Sequence, residues 1–460
     1  MDYPVILATL LILSCAGFYL GRRRAIVASG GSLRALHSLP SYYGFYIAVW
    51  AGVPALILFL VWIAAQNSVI DHLVQAALPD PLRALAPDRK ALLMADIRNI
   101  ATGNVVRAQP DAAVAAAAEH YKRLAELSRW MLVAAMLLLT SLGTFVAYRR
   151  IDPAMRARNA VERAARWFLI VCSTIAVFAT IGIILSLLFE ALRFFDRVPV
   201  GEFLFGLRWS PQEALRSDQV GSSGSFGAVP VFTGTLLITA IAMLVAGPVG
   251  LFAAIYLSEY ASPRVRNWVK PIREVLAGIP TVVYGFFAAL TVAPFIRDLG
   301  LTLGLETASE SALAAGLVMG VMIIPYVSSL SDDVINAVPQ SLRDGAYGLG
   351  ATRSETVRNV VIPAALPGIV GALLLGVSRA VGETMIVVMA AGLSAKLTAN
   401  PLDNVTTVTV QIVTLLVGDQ EFDSAKTLSA FALGLVLFVV TLGLNVIALR
   451  VVQKYREKYD

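Results

Sequence analysis

Charge is scarce in this chain. Of its 460 residues only 15% are charged, whereas 57% are hydrophobic; a soluble domain of this size keeps roughly 25% charged. The deficit sits in unbroken apolar runs long enough to cross a bilayer, about 20 residues at 1.5 Å rise each, and mean hydropathy is +0.73. An ordinary soluble protein is excluded. Cysteine is almost missing: Cys15 and Cys172 both fall inside apolar runs, so there is no disulfide framework and no zinc spacing. The three histidines, His37, His72 and His120, lie far apart in sequence and form no ligand cluster. Metal chemistry is not expected. No lysine directly follows a glycine, so the phosphate-cradling loop G-x-x-x-x-G-K-[ST] is missing. Any ATP-driven process would need its motor on another polypeptide. A net charge of +6 could point to nucleic acid, but most Lys and Arg stand at the ends of apolar runs, where membrane topology puts them.

What is present is a series of nine apolar runs, over 4–20, 42–65, 130–148, 167–190, 231–257, 272–295, 311–330, 366–392 and 427–449. Inside hydrocarbon the backbone must satisfy its own hydrogen bonds, so these runs should be helices. The 34 glycines and 21 prolines fit packed membrane helices, which tolerate both. The first run is not patterned as a secretory signal: Met1-Asp2-Tyr3-Pro4 precedes it and Arg22-Arg23-Arg24 follow, the reverse of the signal order. A retained first helix with its N-terminus outside is expected, and nine spans then leave the C-terminus inside. The short loops agree. Segment 149–166 carries Arg149, Arg150, Arg156, Arg158, Arg163 and Arg166, whereas 296–310 has only Arg297.

Residues 1–165 read as an extension of about three spans, with a small extramembrane helical region at 66–129 whose eight basic residues are balanced by seven acidic ones. The Ala-rich stretch from Asp111 to Ala125 favours helix. A cap or spacer is the plainer role for it. From 166 to 460 six spans follow, with no internal repeat evident. Between the first two of these, 191–230 contains Gly206-Leu207-Arg208-Trp209-Ser210-Pro211 and a Gly/Ser-rich run at 221–227. It is either a docking surface for a substrate-binding protein or a plain connection. Gly247-Pro248-Val249-Gly250 should break the fifth span and Gly278-Ile279-Pro280 the sixth, as static kinks or as hinges.

The segment 331–363 reads SDDVINAVPQSLRDGAYGLGATRSETVRNVVIP, too polar for the membrane yet rich in helix signals. Pro339 and Ser341 start a helix and Gly350 stops it, giving a short helix over Leu342–Leu349. Thr352 with Glu355 three residues on forms a capping box for a second helix, which Pro363 closes. Such a rigid cytoplasmic knob suits a soluble partner that drives motion in the membrane. In the eighth span, Arg379 and Glu383 stand at the i, i+4 spacing that lets each partly neutralise the other. Charges at that depth face a bundle interior or a water-filled path. Two readings stay open: a salt bridge that locks two spans, or an arginine that attracts an anion through its fork of donors while Glu383 holds it. Ser378 and Thr384 flank the pair, but hydroxyls in membrane helices usually bond their own backbone.

Asp344-Gly345-Ala346, Gly350 and Val360-Val361-Ile362-Pro363 resemble the EAA loop of ABC importer permeases, with Asp for Glu, Gly for the first Ala and Val for the usual Ile, the spacing intact. The stretches GTLLITAIAMLVAGPVGLFAAIYLSEYASPRVR, EVLAGIPTVVYGFFA and LGVSRAVGETMIVVMAAG narrow the resemblance to the PstC family, a permease of the phosphate-specific ABC importer, over roughly 167–450. That resemblance implies an all-α integral membrane protein with a six-helix permease core preceded by three further helices, in a bacterial inner membrane. It implies coupling to an ATPase through Asp344, Gly345, Ala346, Gly350 and Pro363, and phosphate transport dependent on Arg379 and Glu383. It also implies three partners: a homologous PstA-like permease, a PstB-like ATPase dimer holding the ATP and Mg, and a periplasmic PstS-like phosphate-binding protein. The chain itself would carry no cofactor and no enzyme site. A permease for another oxyanion, an ATPase-independent transporter or channel, and a scaffold relaying phosphate status remain alternatives.

Overall fold

The computed structural model describes residues 3–83, 86–103, 111–213, 223–417 and 423–455. Two compact units divide between Phe178 and Ala179, inside one long helix. Among the described residues, nine helices are long and apolar enough to cross a membrane.

The first unit is built on α1 (Tyr3–Ala28), α2 (Pro40–Ala76) and α5 (Ala112–Arg149), with α3 (Asp80–Arg83) and α4 (Pro87–Thr102) between the last two and the first part of α6 (Ala157–Phe195) following. Glycine lets these helices approach closely: a Cβ on Gly143 would lie 2.2 Å from the Trp50 carbonyl oxygen, so no other residue fits there without backbone movement. α2 has 37 residues and α5 has 38. Each is about 55 Å long, far more than the roughly 30 Å hydrocarbon core. The surplus is not left bare. Ile70 and Val74 of α2, Met94 and Ile97 of α4, and Ala118 and Tyr121 of α5 make a small core of their own, with an Arg98–Asp71 ion pair of 2.8 Å at its edge.

In the second unit the end of α6 leads through α7 (Val200–Phe205) to an antiparallel hairpin, β1 (Trp209–Glu213) and β2 (Ser223–Phe226), with Trp209 opposite Phe226. Of the Gly/Ser-rich run, residues 221 and 222 lie outside the described residues. Helix α8 (Val229–Ile255) then continues through a π turn at Tyr256–Tyr260. After it come α9 (Pro263–Ala277), α10 (Thr281–Phe287), a second π turn at Ala288–Val292, α11 (Ala293–Thr302) and α12 (Ala312–Asn336). The chain ends with α13 (Gln340–Gly348), α14 (Arg353–Thr356), a π turn at Val357–Val361, α15 (Ile362–Val381), α16 (Met385–Ala390), α17 (Val408–Leu416) and α18 (Ala425–Tyr455). The most buried of the nine spans is α12, and its Met319 and Ile323 pack with Ile238 and Ala242 of α8 at the centre of the core.

Three expected boundaries are corrected. Helix α8 runs unbroken through Pro248. Its glycines serve packing instead: a Cβ on Gly250 would meet Val327 of α12 at 3.0 Å. At Gly278-Ile279-Pro280 the break is complete. It separates the membrane helix α10 from α9, a distinct amphipathic helix with Trp268 and Val275 exposed on one side and Arg273 buried on the other, the pattern of a helix lying in an interface. The span expected at 366–392 instead begins at Arg353 and ends at Val381. Pro363 therefore does not close the second loop helix. It sits near the start of α15, continuous with α14 through the π turn, where its fixed φ is tolerated.

Candidate functional site

The polar segment between α12 and α15 forms a stiff elbow. Pro339 precedes α13, and Gly350 just past its end takes a left-handed φ of 84°. The Ala351 N–H then donates to the Ala346 carbonyl at 3.1 Å, closing the helix C-terminus as an αL glycine does. Two residues later the capping box is complete. Thr352 N–H donates to Glu355 Oε2 at 2.8 Å, and Glu355 N–H donates to Thr352 Oγ1 at 3.4 Å. Of the residues singled out for coupling, Asp344 and Gly345 are exposed on α13, and Ala346 is half-buried. The Asp344 carboxylate accepts from Gln340 Nε2 on the same helix, at 3.0 Å.

What holds the elbow to the membrane helices was not apparent in the sequence. Arg343, on the inward side of α13, is 7% exposed and Glu259, in the π turn after α8, is 6% exposed. Both Nε and Nη2 of Arg343 donate to Glu259 Oε1, at 3.2 and 2.9 Å, and its remaining donors reach the carbonyls of Ile335 and Val338 at the end of α12. One guanidinium thus pins α13 to α8 and also caps α12, where a cation is favoured by the helix dipole. A second lock lies alongside. Asp332 of α12, almost fully buried, has Lys270 Nζ at 2.6 Å and Arg273 Nη2 at 4.0 Å, both from α9. Arg273 also donates to Ser328 Oγ at 2.8 Å. Helices α8, α9, α12 and α13 therefore share charged ties at one end of the unit. A polar cleft of about 580 Å³ opens there between Arg266, Tyr347 and Arg353. The available sequence signal was an acidic residue, Glu259, directly after an apolar run, since charge at such a position needs a partner.

The second feature is the gap between α15 and α16, at Gly382-Glu383-Thr384. The i, i+4 pair expected of Arg379 and Glu383 does not form, because the helix stops between them. Among the described residues no ion pair joins the two. Glu383, 8% exposed, turns its carboxylate forward as a cap: Oε1 accepts from the N–H of Met385 at 3.1 Å and of Ile386 at 3.5 Å. Its own carbonyl accepts from Thr409 Oγ1 of α17 at 2.8 Å. Backbone freed by a helix break needs hydrogen-bond partners when buried, and these contacts supply them. Thr384 Oγ1 bonds locally to the Gly382 carbonyl at 3.5 Å. Arg379 is left exposed, its guanidinium 5.7 Å from the ring centroid of Tyr326 on α12. A tyrosine face holds a cation without consuming its in-plane donors.

Behind the break the unit is unusually rich in hydroxyls. Thr235 Oγ1 accepts from the N–H of Val408 at 3.1 Å, and Thr407 and Thr409 share a bond of 3.0 Å. Gln411 joins Trp209 Nε1 (2.8 Å) to Thr406 Oγ1 (3.1 Å).

Comparison with known proteins agrees with this architecture. Residues 7–179 match a family described as phosphate ATP-binding cassette transporter, and 246–457 match one described as binding-protein-dependent transport system inner membrane component. A probable ABC transporter permease of Bacillus subtilis, YqgH, is 34% identical over 294 residues, covering 64% of this chain and 91% of the relative. The phosphate transport system permease protein PstC 1 of Mycobacterium tuberculosis is 35% identical over 277 residues (55% of this chain, 81% of the relative). PstC of Haemophilus influenzae is 33% identical over 279 residues (56% and 82%). A chain of a bacterial alginate ABC transporter overlaps 66% of this chain and 99% of its own at a TM-score of 0.44 and 16% identity, too distant to carry an argument. With nine membrane-length helices, a rigid polar elbow and relatives matched over most of their length, the chain belongs to the PstC family of ABC transporter permeases.

Proposed function

We propose that this chain is a permease subunit of an ATP-driven importer for inorganic phosphate in a bacterial inner membrane, with the anion passing Arg379. The observation that carries the anion path is Arg379 itself: a guanidinium beside a helix break in a membrane span, held over a tyrosine ring and without a carboxylate partner among the described residues. A charge so placed is costly and marks a transport path, and its free fork matches two oxygens of a phosphate. In this scheme Glu383 shapes the path by fixing the break. It is not a latch on the arginine.

The motor belongs to a separate subunit, which supplies ATP and Mg²⁺. The reading is supported by the missing phosphate-cradling loop and by the exposed face of α13, where a Cβ on Gly345 or Gly348 would meet nothing within 4 Å among the described residues. Their small size leaves room for a partner to approach. A PstB-type ATPase dimer takes that face, a PstA-type permease completes the pathway, and a PstS-type binding protein delivers phosphate from outside. When the ATPases close, α13 is pushed, and the Arg343–Glu259 tie passes the push to α8 and α12. Transport then follows as a biased exchange between two states of the pathway.

The test is Arg379→Gln. The variant should assemble with its ATPase, judged by co-purification, and lose phosphate uptake in cells. Normal uptake by this variant would refute the assignment. Competition by sulfate or molybdate in the wild type separates phosphate from other oxyanions.

A further inference from the structure

One end of the first unit is a single basic face built from two loops. Residue 37 donates its N–H to the Pro153 carbonyl at 3.0 Å, the Arg158 N–H donates to Ser38 Oγ at 3.3 Å, and Tyr43 Oη donates to the carbonyls of Pro153 and Met155 at 3.1 and 3.0 Å. Tyr43, Ile47, Ala147 and Ile151 are buried beneath them. The loops joining α1 to α2 and α5 to α6 are thereby one surface. Four arginines lie in 22–34 and six in 149–166, opposed only by Asp152 and Glu162, a net charge of 10 − 2 = +8. Among the described residues only Arg158 of the ten is ion-paired, to Glu162 at 2.5 Å.

Three of these arginines are held ready. Arg24 stacks 5.2 Å from the Tyr148 ring centroid, Arg149 4.6 Å from Phe145, and Arg150 5.6 Å from Trp50. Stacking orients a guanidinium on its ring while the N–H fork stays free for a planar pair of oxygens. Among the described residues the buried Arg24 Nε has no hydrogen-bond partner. Phe145 and Tyr148 stand in the last two turns of α5, near the level of the lipid headgroups. Beside the arginines the loop presents Leu33 and Leu39, 61% and 68% exposed. Apolar side chains among cations at that level suit an interface of acyl chain and headgroup. A soluble anion would give them nothing to bury against.

We propose that this face is a binding site for anionic phospholipid headgroups, with Arg24, Arg149 and Arg150 as the phosphate contacts and Leu33 and Leu39 seated among the acyl chains. It tethers the extension to acidic lipid independently of the transport path in the second unit.

The full chain, purified in detergent and exchanged into micelles containing equal phosphatidylglycerol and phosphatidylcholine, is examined for retained lipid by native mass spectrometry. The wild type should retain phosphatidylglycerol preferentially, and the preference should weaken as salt is raised. Arg24→Gln, Arg149→Gln and Arg150→Gln should each weaken it about fivefold, and all three together on the order of 100-fold. A triple variant with unchanged preference overturns the proposal. Equal retention of the two lipids by the wild type also overturns it, whatever the variants do, so a variant that fails to fold leaves the test intact. Displacement of the bound lipid by excess inorganic phosphate at constant ionic strength would make this a soluble-anion site and overturn the lipid assignment.

Discussion

Replacing Arg343 by Met leaves Glu259 without its arginine partner and removes the guanidinium donors to the Val338 and Ile335 carbonyls, of which Ile335 keeps the N–H of Val338. An exposed ion pair would contribute about 0–1 kcal/mol. Here both partners are less than a tenth exposed, and breaking a buried pair from one side costs about 3–5 kcal/mol. Arg343→Met should therefore lose stability at the upper end of that range. Glu259→Gln keeps the shape and leaves the arginine its two carbonyls, so it should lose less, about 2 kcal/mol, the size of one hydrogen bond to a charged group. The double variant removes both charges and should be more stable than the sum of the single losses predicts, by on the order of 1–3 kcal/mol of coupling. Denaturant titration of the four purified proteins in detergent measures this cycle. A matched ATPase assay in the assembled transporter should show hydrolysis no longer linked to uptake in Arg343→Met, since α13 is then no longer tied to α8. If both single variants lie within about 0.5 kcal/mol of wild type, or their costs simply add, the pair is not the strut described here.

Gly234→Ala would place its Cβ 2.1 Å from the Thr406 carbonyl oxygen, and overpacking of this kind costs about 1–3 kcal/mol; a melting temperature equal to wild type would show that α8 and the segment before α17 are not in firm contact. Thr409→Val deletes the donor to the Glu383 carbonyl, leaving a buried acceptor unmet at a cost of about 1–3 kcal/mol. Phosphate uptake should fall with it because the break loses its support, and full uptake would detach Thr409 from the path. Thr352→Ala removes half of the capping box and should cost about 1 kcal/mol, read as faster amide exchange in the first turn of α14 with the far end of α15 unchanged.

The parts of this fold that could be read from residues alone are those decided by near neighbours. Nine spans follow from the length of apolar runs, because the bilayer imposes one length and one secondary structure on all of them. The elbow was equally legible, since Gly350 and the Thr352–Glu355 box act over three or four residues. The same local logic misled where distant contacts decide, as at Pro248 and at the Arg379–Glu383 pair. Pro248 reads locally as a break, but α8 runs through it, with Gly250 packed close to Val327. The spacing of Arg379 and Glu383 reads as one helical face, but the helix ends between them, and Thr409, 26 residues from Glu383, donates to the Glu383 carbonyl at that end.

The amino-acid order by itself thus determined that this is a multi-pass helical membrane protein with a stiff polar connection between two of its apolar runs. Tertiary structure alone decided which charges meet. Arg343 finds Glu259 across 84 positions and Arg273 finds Ser328 across 55, distances over which spacing carries no geometry. Charges buried away from water must find partners wherever the fold brings them, and that search is settled only when the helices are packed.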